Sequence, residues 1–330
     1  MIPKRLQDIL SGFAGKRVLV VGDLMLDHYF WGPVNRISPE APVPIVAVES
    51  ETFLPGGAAN VIHNLHILGA EVAAVGVIGD DSSGQKLRDC LKAENVDLQG
   101  VVIDSNRPTT TKMRVMARTQ QYQHNQQIVR LDHEVRTPVS NAILDALKEP
   151  LNTSDADAIY VSDYAKGMVT HHLMDIVRDT MRHNNRPVVV DPKGRDFEKY
   201  HGVTALSPNQ SEALGAFNLD HADEDTVLEI GHRLVKQFEI PQIYMTRSEK
   251  GVALFEPNGK CAQIPATALE VFDVSGAGDT AAAVYTLALV SGASPAEAAE
   301  LGNLAGGISV GKVGVATVTQ EELLEASSST

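Results

Sequence analysis

A glycine-bracketed turn that ends in a carboxylate is the part of this chain best suited to chemistry. The segment Asp273-Val-Ser-Gly-Ala-Gly-Asp-Thr280 leads directly into a long apolar run, which predicts a helix. Gly276 and Gly278 carry no side chain, so their amides and that of Ala277 can approach an anion at the positive end of the helix dipole. Asp279 could then take a proton from a hydroxyl that attacks phosphorus. The turn therefore predicts a phosphoryl-transfer centre.

The same turn admits other interpretations. Asp279 could simply cap the helix, because aspartate is a preferred capping residue. The glycines also fit a dinucleotide-binding fingerprint, but that motif needs an acidic residue at the end of a following strand, and the acids downstream lie in an alanine-rich helical stretch. Residues 306–313 imitate a phosphate-binding loop, except that Val313 replaces the hydroxyl residue that would hold magnesium. Both of these motifs are rejected.

Composition narrows the setting of this centre. The chain has 330 residues, of which 43% are hydrophobic and 21% charged, so it can bury a full core in one α/β domain or two modest ones. Its net charge of −14 argues against nucleic-acid and anionic-membrane partners. Cys90 and Cys261 are the only cysteines and have no metal-ligand spacing, so a reducing cytoplasm fits best. No stretch reaches the roughly 20 apolar residues of a membrane span, which predicts a soluble protein.

Apolar, β-branched runs alternate with segments of helical composition along most of the chain. The predicted strands are 17–23, 72–78, 158–162, 187–191 and 242–246. The predicted helices are 57–68, 173–183, 226–238, 281–290 and 295–310. This alternation predicts a mostly parallel sheet. Asp23, Asp163 and Asp191 stand at or just beyond the carboxyl ends of three of these strands, at the edge where such sheets bind ligands, although each could instead be a turn or capping residue.

Two segments break the alternation and predict a separate small sheet that covers the carboxyl edge of the main one. The first, 29–51, is punctuated by prolines, and the second, 109–132, has an extended composition. Within the second, Lys112, Arg114, Met116 and Arg118 occur at spacing two, so a strand would present the three cations on one face. That face is either an anion-binding surface or a solvated edge protected from aggregation by its charge.

Several motifs, in order along the chain, resemble those of the ribokinase-like, or pfkB-type, carbohydrate kinases. The matching segments are Gly56-Gly-Ala-Ala-Asn60, Val75-Gly-Val-Ile-Gly-Asp-Asp81, Asp191-Pro-Lys193, Ser207-Pro-Asn-Gln-Ser-Glu212, Thr246-Arg-Ser-Glu-Lys-Gly251 and the turn at 273–280. Within that family, three further segments are most similar to the heptose 7-phosphate kinases: Arg36-Ile-Ser-Pro-Glu-Ala-Pro-Val-Pro44, Lys112-Met-Arg-Val115 and Ser162-Asp-Tyr-Ala-Lys-Gly167. The resemblance spans nearly the whole chain.

The resemblance implies a fold and an activity. The fold would be one ribokinase-like domain over residues 1–330, a three-layer α/β/α arrangement with a mostly parallel central sheet and a small β-sheet lid. The activity would be ATP-dependent phosphorylation of D-glycero-β-D-manno-heptose 7-phosphate at its anomeric O1, with Mg²⁺ and with a monovalent cation such as K⁺ left open. The product, heptose 1,7-bisphosphate, would lead towards ADP-heptose and the lipopolysaccharide inner core.

Assembly and extent are implied in the same way. Lids of this family pair into homodimers, and the apolar Ile45, Val46 and Val48 would supply such an edge here. Fused relatives carry a nucleotidyltransferase with a His-x-Gly-His motif, which this sequence lacks, so a kinase-only chain is expected. The final residues, 327–330, are expected to be a frayed tail.

The resemblance also implies roles for individual residues. Asp279 would be the general base, and the amides from Gly276 through Ala277 and Gly278 to Asp279 would stabilise the transferring phosphoryl group. The implied nucleotide contacts are Lys193, Asn209, Glu212, Thr246, Arg247, Ser248, Gly251, Val274, Asn303 and Gly306, with Glu212 holding magnesium through water. The implied sugar contacts are Asp27, Gly56, Gly57 and Asn60, with Asp163 and Asp191 as further hydroxyl acceptors. The cations considered for the sugar phosphate are Arg36, Lys112, Arg114, Arg118 and Lys166.

Alternatives stay open for some of these assignments. Asn209 and Glu212 also fit an ordinary helix start with a capping box. Lys193 and Lys166 could each serve the sugar or the nucleotide. At the level of function, the sugar could be another one, such as fructose 1-phosphate or fructose 6-phosphate. The fold could also serve a non-catalytic phosphosugar-binding regulator or, less favourably, a dinucleotide-dependent oxidoreductase.

Overall fold

The structure, a computed structural model, describes residues 3–117, 126–153, 155–267 and 270–328. Its strands are β1 Arg17–Gly22, β2 Leu24–Gly32, β3 Val34–Ile37, β4 Pro44–Val46, β5 Ser50–Gly57, β6 Glu71–Ile78, β7 Asp97–Ile103, β8 Thr110–Ala117, β9 Gln126–His133, β10 Ala158–Ser162, β11 Val188–Asp191, β12 Ala205–Leu206, β13 Gln242–Thr246, β14 Val252–Phe255 and β15 Cys261–Ile264. Its helices are α1 Pro3–Ser11, α2 Ala58–Ile67, α3 Ser82–Ala93, α4 Asn141–Ala146, α5 Lys148–Thr153, α6 His171–Asn184, α7 Gln210–Gly215, α8 Glu224–Gln237, α9 Ala277–Val290, α10 Pro295–Val310 and α11 Gln320–Ser328.

A nine-stranded sheet forms the centre of the fold, in the order β15-β14-β13-β12-β11-β10-β1-β6-β7. The seven strands from β13 to β7 in this order run parallel, whereas β14 and β15 pair antiparallel at one end. Each parallel strand delivers its carboxyl end to the same edge, where open α/β sheets bind ligands. The predicted α/β fold with a mostly parallel sheet is confirmed.

Both faces of this sheet are buried under helices. Val18 and Val20 of β1 belong to one hydrophobic layer and Leu19 and Val21 to the other, as the alternation of side chains along a strand requires. α9 packs between α2 and α10, and every residue from Asp279 to Ala288 is buried. A helix enclosed in this way has a fixed N-terminus, so the turn before it is held against the carboxyl edge of the sheet.

A separate four-stranded sheet, the lid, has the order β5-β2-β8-β9, and β3 and β4 form a two-stranded ribbon. The expected small sheet is thus present, but its strands extend beyond the predicted segment 29–51 at both ends. β2 begins at Leu24, directly after β1, and β5 ends at Gly57, directly before α2. The lid is therefore joined directly to β1 of the main sheet through β2 and to the helix α2 through β5.

Some element boundaries differ from the predicted ones. The helix after the glycine turn begins at Ala277 rather than at residue 281, because its first turn includes the small residues before the apolar run. The strands β7, β14 and β15 and the helix α3 were not predicted. Of the expected frayed tail, Ser327 and Ser328 belong to α11, and residues 329–330 lie outside the described residues. Among the described residues, no helix combines the length and apolarity needed to span a membrane.

Candidate active site

The glycine turn forms an uncapped helix N-terminus. Gly276 is the N-cap residue with φ +78°, a left-handed conformation that glycine adopts readily, and no side chain caps the helix. The amide of Ala277 already donates to the carbonyl of Val274 at 3.3 Å, contrary to the expectation that it is free for an anion. A Cβ atom placed on Gly278 would meet no atom within 4 Å. The open approach is therefore at Gly278 and the amide of Asp279 that follows it.

Asp279 does not cap this helix. Its carboxylate is buried and accepts hydrogen bonds from Asn60 Nδ2 at 2.6 Å and from the hydroxyl of Tyr164 at 2.9 and 3.0 Å. Burial raises the pKa of Asp279 to about 6, and these two donors oppose the rise. A carboxylate with such a pKa is mostly ionised at neutral pH and more basic than an exposed aspartate, as suits a general base.

Two cavities meet at the glycine turn. The polar cleft, of about 320 Å³, is lined by Asp191, Lys193, Asn209, Glu212, Gly278 and Asp279, among others. The apolar cleft, of about 440 Å³, is lined by Tyr244, Val252, Val271, Ala281, Gly306 and Val310, among others. Thr246, Val274 and Gly278 belong to both linings. One extended molecule with a polar and an apolar part can thus pass over Gly278 from one cavity into the other.

The polar cleft combines carboxylates with a lysine. Asn209 and Glu212 form a capping box at the start of α7, with hydrogen bonds of 2.9 and 3.0 Å, so the capping interpretation of this pair holds and the pair also faces the cleft. Lys193 Nζ lies 2.6 Å from Glu212 Oε1. Burial, together with the charges of Asp279 and Glu212, raises the pKa of Asp191 well above its usual value. These carboxylates would repel an anion bound in the cleft, so a cation between them and the anion would be favourable.

A magnesium site is not preformed in these walls. Within the described ranges, no group of three or more histidine, cysteine, aspartate or glutamate side chains is arranged to hold a metal ion. Both oxygens of Glu212 are engaged, one by the backbone amide of Asn209 and one by Lys193. The donor set fits a hydrated ion that arrives with phosphate ligands, which is how Mg²⁺ commonly binds.

The apolar cleft collects most of the expected nucleotide contacts. Thr246, Ser248, Gly251, Val274, Asn303 and Gly306 all line it. Asn303 also donates to the carbonyl of Pro265 at 2.8 Å and so holds the loop that closes one side. Arg247 does not line either cavity, because its guanidinium is buried against Glu224 and Gln263. The expectation that Arg247 contacts the nucleotide is therefore not supported by its position.

The lid brings charged side chains to the other side of Asp279. Asp27 of β2 and Arg114 of β8 form an ion pair of 2.7 Å, with side chains only 9% and 17% exposed. Lys112, on the same face of β8, places its ammonium 5.1 Å from the centre of the Tyr164 ring, and burial lowers its pKa. A Cβ atom on Gly56 would come within 3.0 Å of the Asp27 carboxylate, so this glycine permits the close packing of β5 on β2. Of these two lid cations, Arg114 is thus already paired with a carboxylate.

Other predicted sugar-side residues have structural partners. The carboxylate of Asp163 is buried and accepts from Lys199 at 2.5 Å, Tyr200 at 2.6 Å and the amide of Ala165 at 2.7 Å. These bonds fix the orientation of the Asp163 carboxylate, and Asp163 also lines the polar cleft. Lys166 pairs with Glu134 at 2.5 Å.

The remaining predicted sugar-side residues do not point a side chain at Asp279, or they lie outside the described residues. Arg36 is exposed on β3, in the two-stranded ribbon. Arg118 lies outside the described residues. Gly57, with φ +56°, packs against the carbonyl of Asp23 at the junction of β5 and α2, so its role is to let the backbone turn.

Tyr164 is a site residue that the sequence did not reveal, although it lies in the motif at 162–167 and lines the polar cleft. The contacts of Asp23 were not expected either: its buried carboxylate accepts from the amides of Tyr164, Lys166 and Met168 at 2.8 to 3.1 Å. Asp23 thus shapes the loop after β10 instead of facing the cleft. Many strands end in an aspartate and many loops contain a glycine. The sequence alone therefore does not reveal that Asp23 contacts this loop.

Comparison with known proteins agrees with this architecture. The chain is 42% identical over 325 residues to the bifunctional protein HldE of Geobacter metallireducens, covering 97% of this chain and 65% of that protein. It is 44% identical over 321 residues to the bifunctional protein HldE of Caulobacter vibrioides, covering 96% and 64%. The chain therefore spans slightly less than two thirds of the length of these relatives.

Solved structures share the fold at low identity. Phosphofructokinase-2 from Escherichia coli in complex with potassium superposes with a TM-score of 0.78 at 17% identity, covering 96% of this chain and 99% of that one. Ribokinase from Arabidopsis thaliana complexed with ribose and ATP gives 0.71 at 20% identity, covering 95% and 98%. The model of the pfkB family carbohydrate kinases matches residues 16–322. The chain belongs to the pfkB family of carbohydrate kinases.

Proposed function

We propose that this chain is an ATP-dependent kinase that phosphorylates D-glycero-β-D-manno-heptose 7-phosphate at its anomeric O1. The observation that carries the kinase part is the position of Asp279, a buried carboxylate of raised pKa beside an uncapped helix N-terminus where two cavities meet. A base and an anion-binding helix end in contact are the two parts that phosphoryl transfer to a hydroxyl requires.

In the proposed reaction, Asp279 accepts the proton of the O1 hydroxyl as that oxygen attacks the γ-phosphorus of ATP. The new O–P bond forms while the bond between the γ-phosphorus and the bridging oxygen breaks, and ADP leaves with the electron pair. The amides of Gly278 and Asp279 stabilise the charge on the transferring group. Nothing else needs to be covalently altered in the protein, so positioning and electrostatics carry the catalysis.

ATP would lie across both cavities. Its adenine would occupy the apolar cleft between Val274 and Gly306, and its phosphates would extend over Gly278 into the polar cleft. Lys193 would neutralise phosphate charge, and Mg²⁺, bound by the phosphates and water, would be held in turn by Glu212 and would offset the negative charge in this cleft. A monovalent cation such as K⁺ remains part of the proposal, supported only by likeness to the family.

The sugar would lie between the lid and Asp279. Asp27 would accept hydrogen bonds from its hydroxyls, Asn60 would contact them beside Asp279, and Lys112 would bind its phosphate; the ion pair of Asp27 and the hydrogen bond of Asn60 to Asp279 support this arrangement. The choice of heptose 7-phosphate rests on the resemblance of segments 36–44, 112–115 and 162–167, and the similarity to HldE proteins over 97% of the chain supports it. A cytoplasmic role in ADP-heptose and lipopolysaccharide synthesis, and a homodimer formed through the lid, belong to the same proposal.

The test is ADP release with Mg-ATP across a panel of acceptors, with the phosphorylated position read by phosphorus NMR. The panel contains heptose 7-phosphate, unphosphorylated heptose, fructose 6-phosphate, fructose 1-phosphate and ribose. We expect strong preference for heptose 7-phosphate and a new anomeric phosphate signal. Preference for another sugar would overturn the substrate while keeping the kinase. Absence of ADP release with every sugar would instead support a non-catalytic phosphosugar-binding protein.

A further inference from the structure

A tyrosine hydroxyl lies against the carboxylate that the proposed reaction uses as its base. The hydroxyl of Tyr164 donates to Asp279, 2.9 Å from Oδ1 and 3.0 Å from Oδ2. Asn60 Nδ2 donates to Oδ2 at 2.6 Å. Oδ1 therefore receives only the tyrosine among the described residues, and it keeps a lone pair for the hydroxyl of a substrate.

Hydrogen bonds to the Asp23 carboxylate hold the backbone of the loop that carries Tyr164. Asp23, at the end of β1, accepts from the amides of Tyr164 at 2.8 Å and of Lys166 and Met168 at 3.1 Å. The loop turns through Ala165 at φ +55° and Gly167 at φ +96°, so its path is specific and not simply extended. Because the loop is held at three amides, the phenol is delivered to one position beside Asp279.

The ring of Tyr164 is covered by a cation from the lid. The ammonium of Lys112 lies 5.1 Å from the ring centre, within the range of a cation–π interaction. The ring therefore stands between the lid strand that would bind the sugar phosphate and the base that would act on the sugar hydroxyl. Its hydroxyl is the only part that touches Asp279 by a hydrogen bond.

We propose that Tyr164 is a positioning residue, which holds the Asp279 carboxylate in the orientation and the ionised form that accept the proton of the substrate hydroxyl. The proposal rests on the proposed kinase function. Its physical basis is that a hydrogen bond donated to a carboxylate stabilises the charged form, and that two donors from different elements prevent the carboxylate from rotating.

Several charged and titratable groups face Asp279 besides Tyr164. Burial is the main reason that its pKa is raised, and the charge of Asp27 on β2 raises it further, whereas Lys112 on β8 lowers it. In turn, the charge of Asp279 helps to raise the pKa of Asp191 on β11 and of Tyr160 on β10, two strands of the main sheet. The tyrosine hydrogen bond is thus one of few contributions that keep the base ionised, and its loss shifts the balance towards the protonated form.

The variant Tyr164→Phe tests this proposal, because it removes the hydroxyl and keeps the ring that Lys112 covers. We expect kcat to fall roughly ten- to hundred-fold, with the KM for ATP and the melting temperature nearly unchanged. The acidic limb of the kcat–pH profile should move up by about one pH unit. Tyr285→Phe is the matched control, since it deletes a tyrosine hydroxyl that bonds to Gln242 at 2.6 Å, away from both cavities.

A second measurement does not depend on any substrate. Aspartate labelled with ¹³C at the carboxyl carbon gives a signal for Asp279 that is identified by its loss in Asp279→Asn, and its titration follows the ionisation directly. We expect a midpoint near 6 in the unsubstituted protein and a higher one in Tyr164→Phe. Unchanged titration together with an unchanged pH profile overturns the proposal, as does an increase in kcat. If no sugar is phosphorylated at all, the proposed function fails, while the titration still decides whether Tyr164 controls Asp279.

Discussion

The side-chain amide of Asn60 donates to Oδ2 of Asp279 at 2.6 Å, which joins two residues 219 positions apart in the chain. Asn60 lies in α2, directly after the lid strand β5, and Asp279 lies in the first turn of α9. The helix that follows β5 and the helix that carries the base are thus in direct contact. A shift of either helix relative to the other would move the base away from the donors that hold it.

Replacement of Asp279 by asparagine should abolish turnover and retain binding. Asparagine has the same shape and can still accept from Asn60, but it cannot take a proton, so kcat should fall by roughly three or more orders of magnitude. ADP release measures turnover, and calorimetry measures ATP binding. Asp104→Asn is the control, because the hydrogen bonds of that half-buried side chain to described residues go to Asn106 alone, away from both cavities. Turnover within a few-fold of the unsubstituted enzyme would remove Asp279 from the chemistry.

The same substitution should raise the free energy of unfolding at alkaline pH. The folded protein raises the pKa of Asp279 from an ordinary 3.8 to about 6, so between these values the folded state binds more protons than the unfolded state. Stability is therefore lost as the pH rises through this window, by up to about 3 kcal/mol. Urea unfolding at several pH values should show Asp279→Asn to be the more stable protein at pH 8, with an advantage that shrinks towards pH 4. A less stable variant at pH 8 would contradict this prediction.

Alanine at position 278 should impair phosphate binding without harming the fold. Gly278 is a helical residue with open space where a Cβ would go, so alanine there should stabilise α9 by up to about 1 kcal/mol. The added methyl group would occupy the surface at which the phosphate approaches, and kcat/KM for ATP should fall at least ten-fold. Gly215→Ala, another helical glycine with room for a methyl group, is the matched control for stability alone. Equal kinetics for the two variants would exclude an anion site at Gly278.

The two lid cations should respond differently to truncation. Arg114→Met leaves the buried carboxylate of Asp27 without its partner, which should cost about 3 kcal/mol of folding stability. Lys112→Met leaves no such carboxylate and should instead raise the KM for a phosphorylated sugar at least ten-fold. The KM for the unphosphorylated sugar should hardly change. Thermal unfolding and steady-state kinetics on both sugars separate these effects, and the reverse pattern would assign the phosphate to Arg114.

The ribbon beside the lid should form a dimer contact. Ile45 and Val46 on β4 are half-buried, and Val43 and Val48 beside them are 51% and 52% exposed. Val48→Asp should convert a dimer into a monomer in sedimentation velocity. Ile103→Asp is the matched control, because Ile103 is similarly exposed, at 50%, on β7 at the end of the main sheet. A monomer at micromolar concentration in the unsubstituted protein would disprove the dimer.

The sequence revealed the parallel sheet and the glycine turn because both have strong local signals. The predicted strand 158–162 and the predicted helix 295–310 coincide with β10 and α10. The turn at 273–280 could be recognised because glycine, aspartate and an apolar run occur at fixed spacing within eight residues. Such features depend on neighbouring residues alone, and the sequence contains them completely.

Contacts over long distances could not be predicted in this way. The sequence offered Asp163, directly after β10, as a hydroxyl acceptor or a turn residue, and it did not reveal that Lys199 and Tyr200, more than 30 residues later, donate to its carboxylate. Arg247 follows β13 within a family motif, yet its side chain points to Glu224 instead of the cavities. The direction of one side chain after a strand depends on the packing of distant elements, which no local pattern encodes.

The loop that presents Tyr164 owes its shape to a residue that is not part of it. Asp23, 141 positions before Tyr164, accepts hydrogen bonds from three of the loop's amides with its two carboxylate oxygens. A designer who transplanted residues 163–168 into a related scaffold would therefore have to carry an aspartate on the neighbouring strand as well. Conversely, Asp23→Ala should cost activity although no atom of that side chain would ever meet a substrate.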